Sequence, residues 1–262
     1  MHCWGTCLLG ALLIAGCGIS TPSTNGDIAI SEQTVVLDSI PASPIPDPPA
    51  IRPSKDELMG RISPAADTSF VELPASMCSR SGMYLRKEVA DSLVAMHRAA
   101  RQEGIDLTVL SATRPFSHQR SIWERKWGRS QYMGWQGVDK ALDILTYSSM
   151  PGSSRHHWGT DVDLHSLDPM VFESGEGART VAWLRERGPG FGFEEVYTRD
   201  SSRTGYQPEP WHWSFAPLAK PFLDTYLDSV STADFDQFLG SEHALDVRII
   251  KDFVRGVAPR VQ

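Results

Sequence analysis

The sequence predicts an α+β domain, a small antiparallel sheet flanked by helices. Stretches with apolar residues three and four positions apart alternate with short β-branched runs. Gly and Pro, 21 and 18 in 262 residues, punctuate the intervals. A hydrophobic share of 41% supports a sizeable core. The length fits one large domain or two small ones. A net charge of −7 makes a broad nucleic-acid surface improbable, so no nucleic-acid partner is expected. Four cysteines are too few for a disulfide scaffold, and no solenoid repeat is visible.

In chain order, the first feature is an address. Leu8 to Ala15 (LLGALLIA) is one apolar run. It is shorter than the roughly 20 residues of a membrane-spanning helix and has the length of a signal-peptide core. The run ends in Ile14-Ala15-Gly16-Cys17, which resembles a bacterial lipobox. That resemblance implies removal of residues 1–16 and a lipid on Cys17. The protein is then expected in the cell envelope, on the periplasmic side, held to a membrane by that lipid. The segment before Leu8 lacks the Lys or Arg expected of a signal peptide. Residues 17–54, rich in Ser, Thr and Pro, cannot bury enough apolar area to offset ordering entropy and read as a semi-rigid tether. The run 33–38 (QTVVLD) is taken as part of it.

The folded domain is expected over residues 55–258. Leu85 to Gly104 is helical, with Val89, Leu93, Met96 and Ala100 on one face and Gly104 as the stop. Ile105 to Leu110 alternates and reads as a strand. Ser117 to Trp127 reads as a helix capped by Ser117. Val138 to Tyr147 is another helix, and Thr160 to His165, after Gly159, a strand. Gly177 to Glu186 is helical and stops at Gly188-Pro189-Gly190. Trp211 to Phe215 is a strand. Helices over 217–230 and 243–256 close the domain, the last packing through Leu245, Ile249, Ile250 and Phe253.

Two segments concentrate metal-capable side chains: Ser154 to Asp163 (SRHHWGTDVD) and Glu209 to Trp213 (EPWHW). Neutral imidazoles and a carboxylate suit Zn²⁺, and three protein ligands leave the open position of a catalytic site. His156 and Asp163 can converge if the chain turns at Gly159. His157 is the rival to His156. His212 supplies a third ligand from another strand, and a bend across the Pro210-Trp211 step can place the Glu209 carboxylate beside the metal-bound water. A lone His near Trp is ordinarily a packing or surface residue. Two clusters, each pairing His with a carboxylate beside Gly or Pro, weigh against that ordinary role.

The first segment resembles the Ser-x-His-x-x-Gly-x-Ala-x-Asp motif of the D-alanyl-D-alanine carboxypeptidases related to VanY, zinc D,D- and L,D-peptidases. The second resembles that family's Glu-x-x-His motif. Ser111-Ala112-Thr113-Arg114 with Gln119, Trp183-Leu184 and Gly192-Phe193 extend the likeness over roughly residues 55–220. The resemblance implies a single zinc-peptidase domain holding one Zn²⁺ through His156, Asp163 and His212. It implies Glu209 as general base, Arg114 orienting substrate or stabilising negative charge, and Ser154 and Gln119 lining the substrate pocket. Asp161 stands where the motif has Ala. It shares a strand face with Asp163 and is expected either to favour a substrate ammonium group or to act as a hydrogen-bond acceptor behind a ligand or in a buried salt bridge. Arg155 is expected in an exposed salt bridge. Trp158, Trp211 and Trp213 are expected to pack around the site, and His118 and His165 to be structural or exposed.

The implied reaction is hydrolysis of a peptidoglycan stem peptide at D-Ala-D-Ala. An endopeptidase of the same fold and a non-catalytic wall-peptide-binding lipoprotein are the alternatives.

Overall fold

The computed structural model describes residues 52–262. The signal peptide, Cys17, the run 33–38 and nearly all of the tether lie outside the described residues.

The chain enters through a single helical turn, α1 (Lys55–Leu58). The Ser54 hydroxyl accepts from the Glu57 amide and the Glu57 carboxylate accepts from the Ser54 amide, a capping box. Leu58 and Met59 are fully buried. Strands β1 (Phe70–Glu72) and β2 (Tyr84–Arg86) form a small antiparallel ribbon. Helix α2 (Lys87–Gln102) follows directly and buries Val89, Leu93, Met96 and Ala100, the four expected positions. Its predicted first two residues instead belong to β2, because Leu85 and Arg86 pair with Val71 and Phe70.

Strand β3 (Val109–Ser111) begins later than predicted. Ahead of it Asp106 accepts from the amide and hydroxyl of Thr108, which holds the chain in a turn. Helix α3 (Phe116–Trp127) is capped by Pro115, without a side-chain cap. Ser117 lies inside the helix, and its carbonyl accepts from Ser121 Oγ. Helix α4 (Gly137–Leu145) precedes β4 (Asp161–Leu164), then come α5 (Gly175–Arg187), β5 (Phe193–Glu195), β6 (His212–Phe215) and α6 (Ala216–Ser229).

The second sheet runs β3-β4-β6-β5, every pair antiparallel. Val162, Leu164, Trp213 and Phe215 share one of its faces by alternation, and all four are buried. Core residues of α2 and α5 are buried in the same cluster.

The predicted helix over 243–256 is not regular. Arg248 adopts φ 55°, which breaks the pattern, and Ile249–Val254 forms a wide π-type turn. Leu245 is 68% exposed rather than packed, whereas Ile249 and Phe253 are buried. The widened turn fits against the loop before Glu209. Thr204 Oγ1 donates to the Asp252 carbonyl at 2.9 Å, Tyr206 packs on Phe253 with ring centroids 5.1 Å apart, and the Ala258 amide donates to the Val196 carbonyl at 2.9 Å.

Candidate metal centre

The register of β4 on β6 builds the centre. Asp163 pairs with His212 and Asp161 with Ser214, so alternation puts these four side chains on one face. All four are buried. That face therefore demands internal partners for its polar groups.

His156 arrives from a tight turn, Arg155–Trp158, ended by Gly159 at φ 74°. A side chain on Gly159 would run into Phe70 as well as adopt a disfavoured backbone. The Arg114 amide donates to the His156 carbonyl at 2.9 Å and fastens this turn to the chain leaving β3. Ligand atoms of His156, Asp163 and His212 then all lie within 4.8 Å of one another.

Each imidazole is oriented from behind. His156 Nδ1 lies 2.9 Å from the Ala112 carbonyl, which can only accept, so Nδ1 carries the proton. Its Nε2 faces Asp163 Oδ2 at 3.2 Å. His212 has the opposite arrangement. Its Nε2 donates to Asp161 Oδ1 at 3.0 Å and its Nδ1 faces Asp163 Oδ1 at 3.3 Å. Two imidazoles thus present different nitrogens to one point, backed by a carbonyl and a carboxylate respectively.

A turn from Glu209 to His212, closed by the His212 amide on the Glu209 carbonyl at 3.0 Å, brings Glu209 Oε2 to 3.5 Å from His212 Nδ1. Burial pushes the Glu209 carboxyl up from its ordinary range. Burial alone would pull His212 down, but the surrounding carboxylates of Asp161, Asp163 and Glu209 hold it well above the usual histidine range. Burial likewise favours a neutral Asp163, yet His156 and His212 keep it ionised, well below the carboxylate range. Burial lowers His156, against the pull of Asp163. The centre is thus a place that favours a cation. A metal would displace the proton that His212 carries.

This donor set fits zinc. Two imidazole nitrogens and one carboxylate oxygen leave a fourth position open, and Asp163 Oδ1 is buried without a hydrogen-bond donor.

Residues 82–218, more than half the chain, match the family model VanY, described as D-alanyl-D-alanine carboxypeptidase. The chain belongs to the VanY family. YodJ of Bacillus subtilis (strain 168), provisionally named a carboxypeptidase, is 32% identical over 133 residues, 49% of this chain and 45% of that protein. The D-alanyl-D-alanine carboxypeptidase of Enterococcus faecalis (strain ATCC 700802 / V583) is 30% identical over 121 residues, 46% of this chain and 44% of that one. The chain thus spans somewhat under half the length of these two curated relatives. A solved VanY variant from a VanB-type resistance cassette, in complex with Zn(II), aligns with a TM-score of 0.45 at 24% identity, over 59% of this chain and 88% of that one.

Against the VanY pattern, Asp161 takes the second of its two expected roles, and the roles expected of Arg155 and Gln119 change. Asp161 is fully buried and does not line a substrate pocket. Its carboxylate accepts from Arg155 Nε at 2.9 Å, Ser214 Oγ at 3.0 Å, Thr160 Oγ1 and His212 Nε2. Arg155 is buried in this pair rather than exposed. Gln119 is also fully buried. Its Oε1 accepts from Arg114 Nη1 at 2.7 Å and its Nε2 donates to the Ser149 carbonyl at 2.6 Å, so it aims Arg114 and does not line the pocket. Arg114 Nη2 donates to Ser111 Oγ at 2.8 Å and lies 3.6 Å from Asp163 Oδ2.

Ser154 is buried beside the His156 turn, its hydroxyl without a partner among the described residues. His157 points away from the centre, between the Arg114 carbonyl and the Gly152 amide, and burial lowers it to about 3. Trp158, Trp211 and Trp213 are buried, as expected. His118 is exposed, and His165 packs on Phe172 with ring centroids 5.8 Å apart. Sequence reasoning passed over Tyr197, whose ring lies 4.8 Å from that of His212. No motif marked it. Ser214 was detectable in principle, two positions after His212 on one strand.

Proposed function

We propose that this protein is a zinc-dependent carboxypeptidase that removes the terminal D-alanine from peptidoglycan stem peptides ending in D-Ala-D-Ala. The observation that carries the proposal is the convergence of His156, Asp163 and His212 with a buried Glu209 carboxylate 3.5 Å from one of them. Family membership supplies the bond class. Zinc held by those three residues would supply a Lewis acid for the scissile carbonyl and bring a water's pKa down to about 7.

The chain's own groups do the rest. Glu209 takes the proton of the attacking water and returns a proton to the leaving amine, a role its raised pKa suits. Arg114, aimed by Gln119 and Ser111, faces the negative charge that develops on the carbonyl oxygen. The Ser154 hydroxyl, buried and unpaired beside the His156 turn, is a hydrogen-bonding group left over for substrate once the pocket opens onto it.

The proposal includes the envelope location, with the chain held through a lipid on Cys17. Cys17→Ser should move the protein from the membrane fraction to the soluble one. Among the described residues no helix is long and apolar enough to cross a membrane.

The deciding experiment is mass spectrometry of muropeptides treated with the zinc-loaded protein. Loss of one alanine residue from pentapeptide monomers, with cross-linked dimers intact, is the expected result. Dimers falling to monomers would replace the proposal with an endopeptidase. No product, with zinc bound, would move it to a binding-only lipoprotein.

A further inference from the structure

The Asp161 and Arg155 pair sits where the family motif carries a small Ala, directly behind a proposed ligand. The carboxylate is fully buried and receives four donors, one of them His212 Nε2. Arg155 is buried too, its Nη2 donating to Ser214 Oγ at 2.8 Å and its guanidinium 4.6 Å from the Trp158 ring centroid. Its Nη1 is buried with no acceptor.

Stability alone is a poor reason for such a pair. Burying two charges costs free energy that their attraction often fails to repay, and apolar replacements are frequently as stable. The orphaned Nη1 adds to that cost. The position of the pair supplies another reason. The Asp161 carboxylate holds a proton of His212 on Nε2, so Nδ1 is the nitrogen turned toward Asp163 and the one that can give up its proton to a metal. Arg155 balances the charge of Asp161, so the acceptor adds no net negative charge next to the centre.

We propose that Asp161 is a positioning residue that sets the His212 tautomer and strengthens metal binding through Nδ1, and that Arg155 is present to make a buried carboxylate tolerable there. The inference rests on the zinc reading above, and the test separates the two.

The full chain and the variants Asp161→Ala, Arg155→Met and the double variant would be compared in three measurements. These are zinc affinity by competition with a chromophoric chelator, thermal stability of the metal-free form, and solvent exchange of the His212 Nε2–H by ¹⁵N NMR. Each single variant leaves one buried charge unpaired and should be less stable, and the double variant should recover. Zinc affinity should instead fall roughly 10- to 100-fold in Asp161→Ala and stay low in the double variant, with Arg155→Met close to the parent. In the zinc-loaded parent the His212 Nε2–H should be protected from exchange with solvent, and that protection should be lost in both variants lacking Asp161.

Should Asp161→Ala fail to fold, the double variant, with its buried charges removed together, still reports. A double variant that binds zinc like the parent, or affinities that merely track stability, would overturn the inference while leaving the zinc reading intact. A parent chain that binds no zinc would overturn both.

Discussion

Glu209 is the residue whose replacement separates chemistry from binding. It contacts His212 but is not one of the three converging ligands. Glu209→Gln should keep zinc, read by elemental analysis, and lose at least about 100-fold in turnover, the lower end of general acid–base contributions. His156→Ala should lose the metal itself. Gly60 tests the scaffold one step away. It sits at φ 76°, and a Cβ there would meet the His157 imidazole. Gly60→Ala should cost at least about 1–2 kcal/mol from the left-handed backbone alone, lowering the melting temperature by several degrees in a chain of this size. The convergence of His156, Asp163, His212 and Glu209 was legible in the sequence because metal-capable residues are few in type and here stand beside Gly and Pro turns. An acceptor role for Asp161 behind a ligand was legible as one of two alternatives, but the work of Gln119 and Arg155 was not, since it depends on which groups stand opposite them. Arg155 and Asp161 are six residues apart, yet their pairing exists only because the Gly159 turn folds one back over the other.

At the scale of elements, long periodic helices were readable, whereas of the four three-residue strands only β3 was. α2 presents four buried positions in helical register. β1, β2 and β5 are each three residues long, too short to show a period, and they form because partners across the fold supply the hydrogen bonds. The C-terminal segment misled for a related reason. Its apolar spacing suits a helix, but Arg248 turns left-handed and the wider turn accommodates Thr204 and Tyr206. That packing holds up the loop leading to Glu209. Phe253→Ala should therefore reduce turnover while leaving zinc content unchanged, besides a stability cost of about 3–5 kcal/mol typical of a buried Phe. Loss of stability with full turnover in the folded fraction would show that the segment does not steady Glu209.

For the whole molecule, one acid-sensitive fastening joins the entry of the described chain to its later part. Lys55 Nζ contacts Asp234 Oδ1 at 2.9 Å. That ammonium, with the Ser231 amide, holds the Asp234 carboxyl below its ordinary value of 3.8. The native state thus binds the proton less readily than the unfolded chain, so this contribution is present above about pH 4 and disappears as pH falls through the native value. Asp234→Asn should lower urea midpoints at pH 7 and 5, with the gap to the parent closing toward pH 3. A gap independent of pH would mean that the carboxylate contributes by packing rather than by charge.

The clasp of residues 249–258 on the 196–206 loop also bears on the order in which competence is acquired. A ribosome delivers His156, Asp163, Glu209 and His212 before it delivers Phe253 and Ala258. A nascent chain can therefore gather its metal-binding side chains while the loop before Glu209 still lacks its strut. In a chain exported N-terminus first, hydrolytic ability would then be completed only when residues 249–258 have crossed, and a chain cut short of residue 249 would keep its metal-binding side chains but cut slowly.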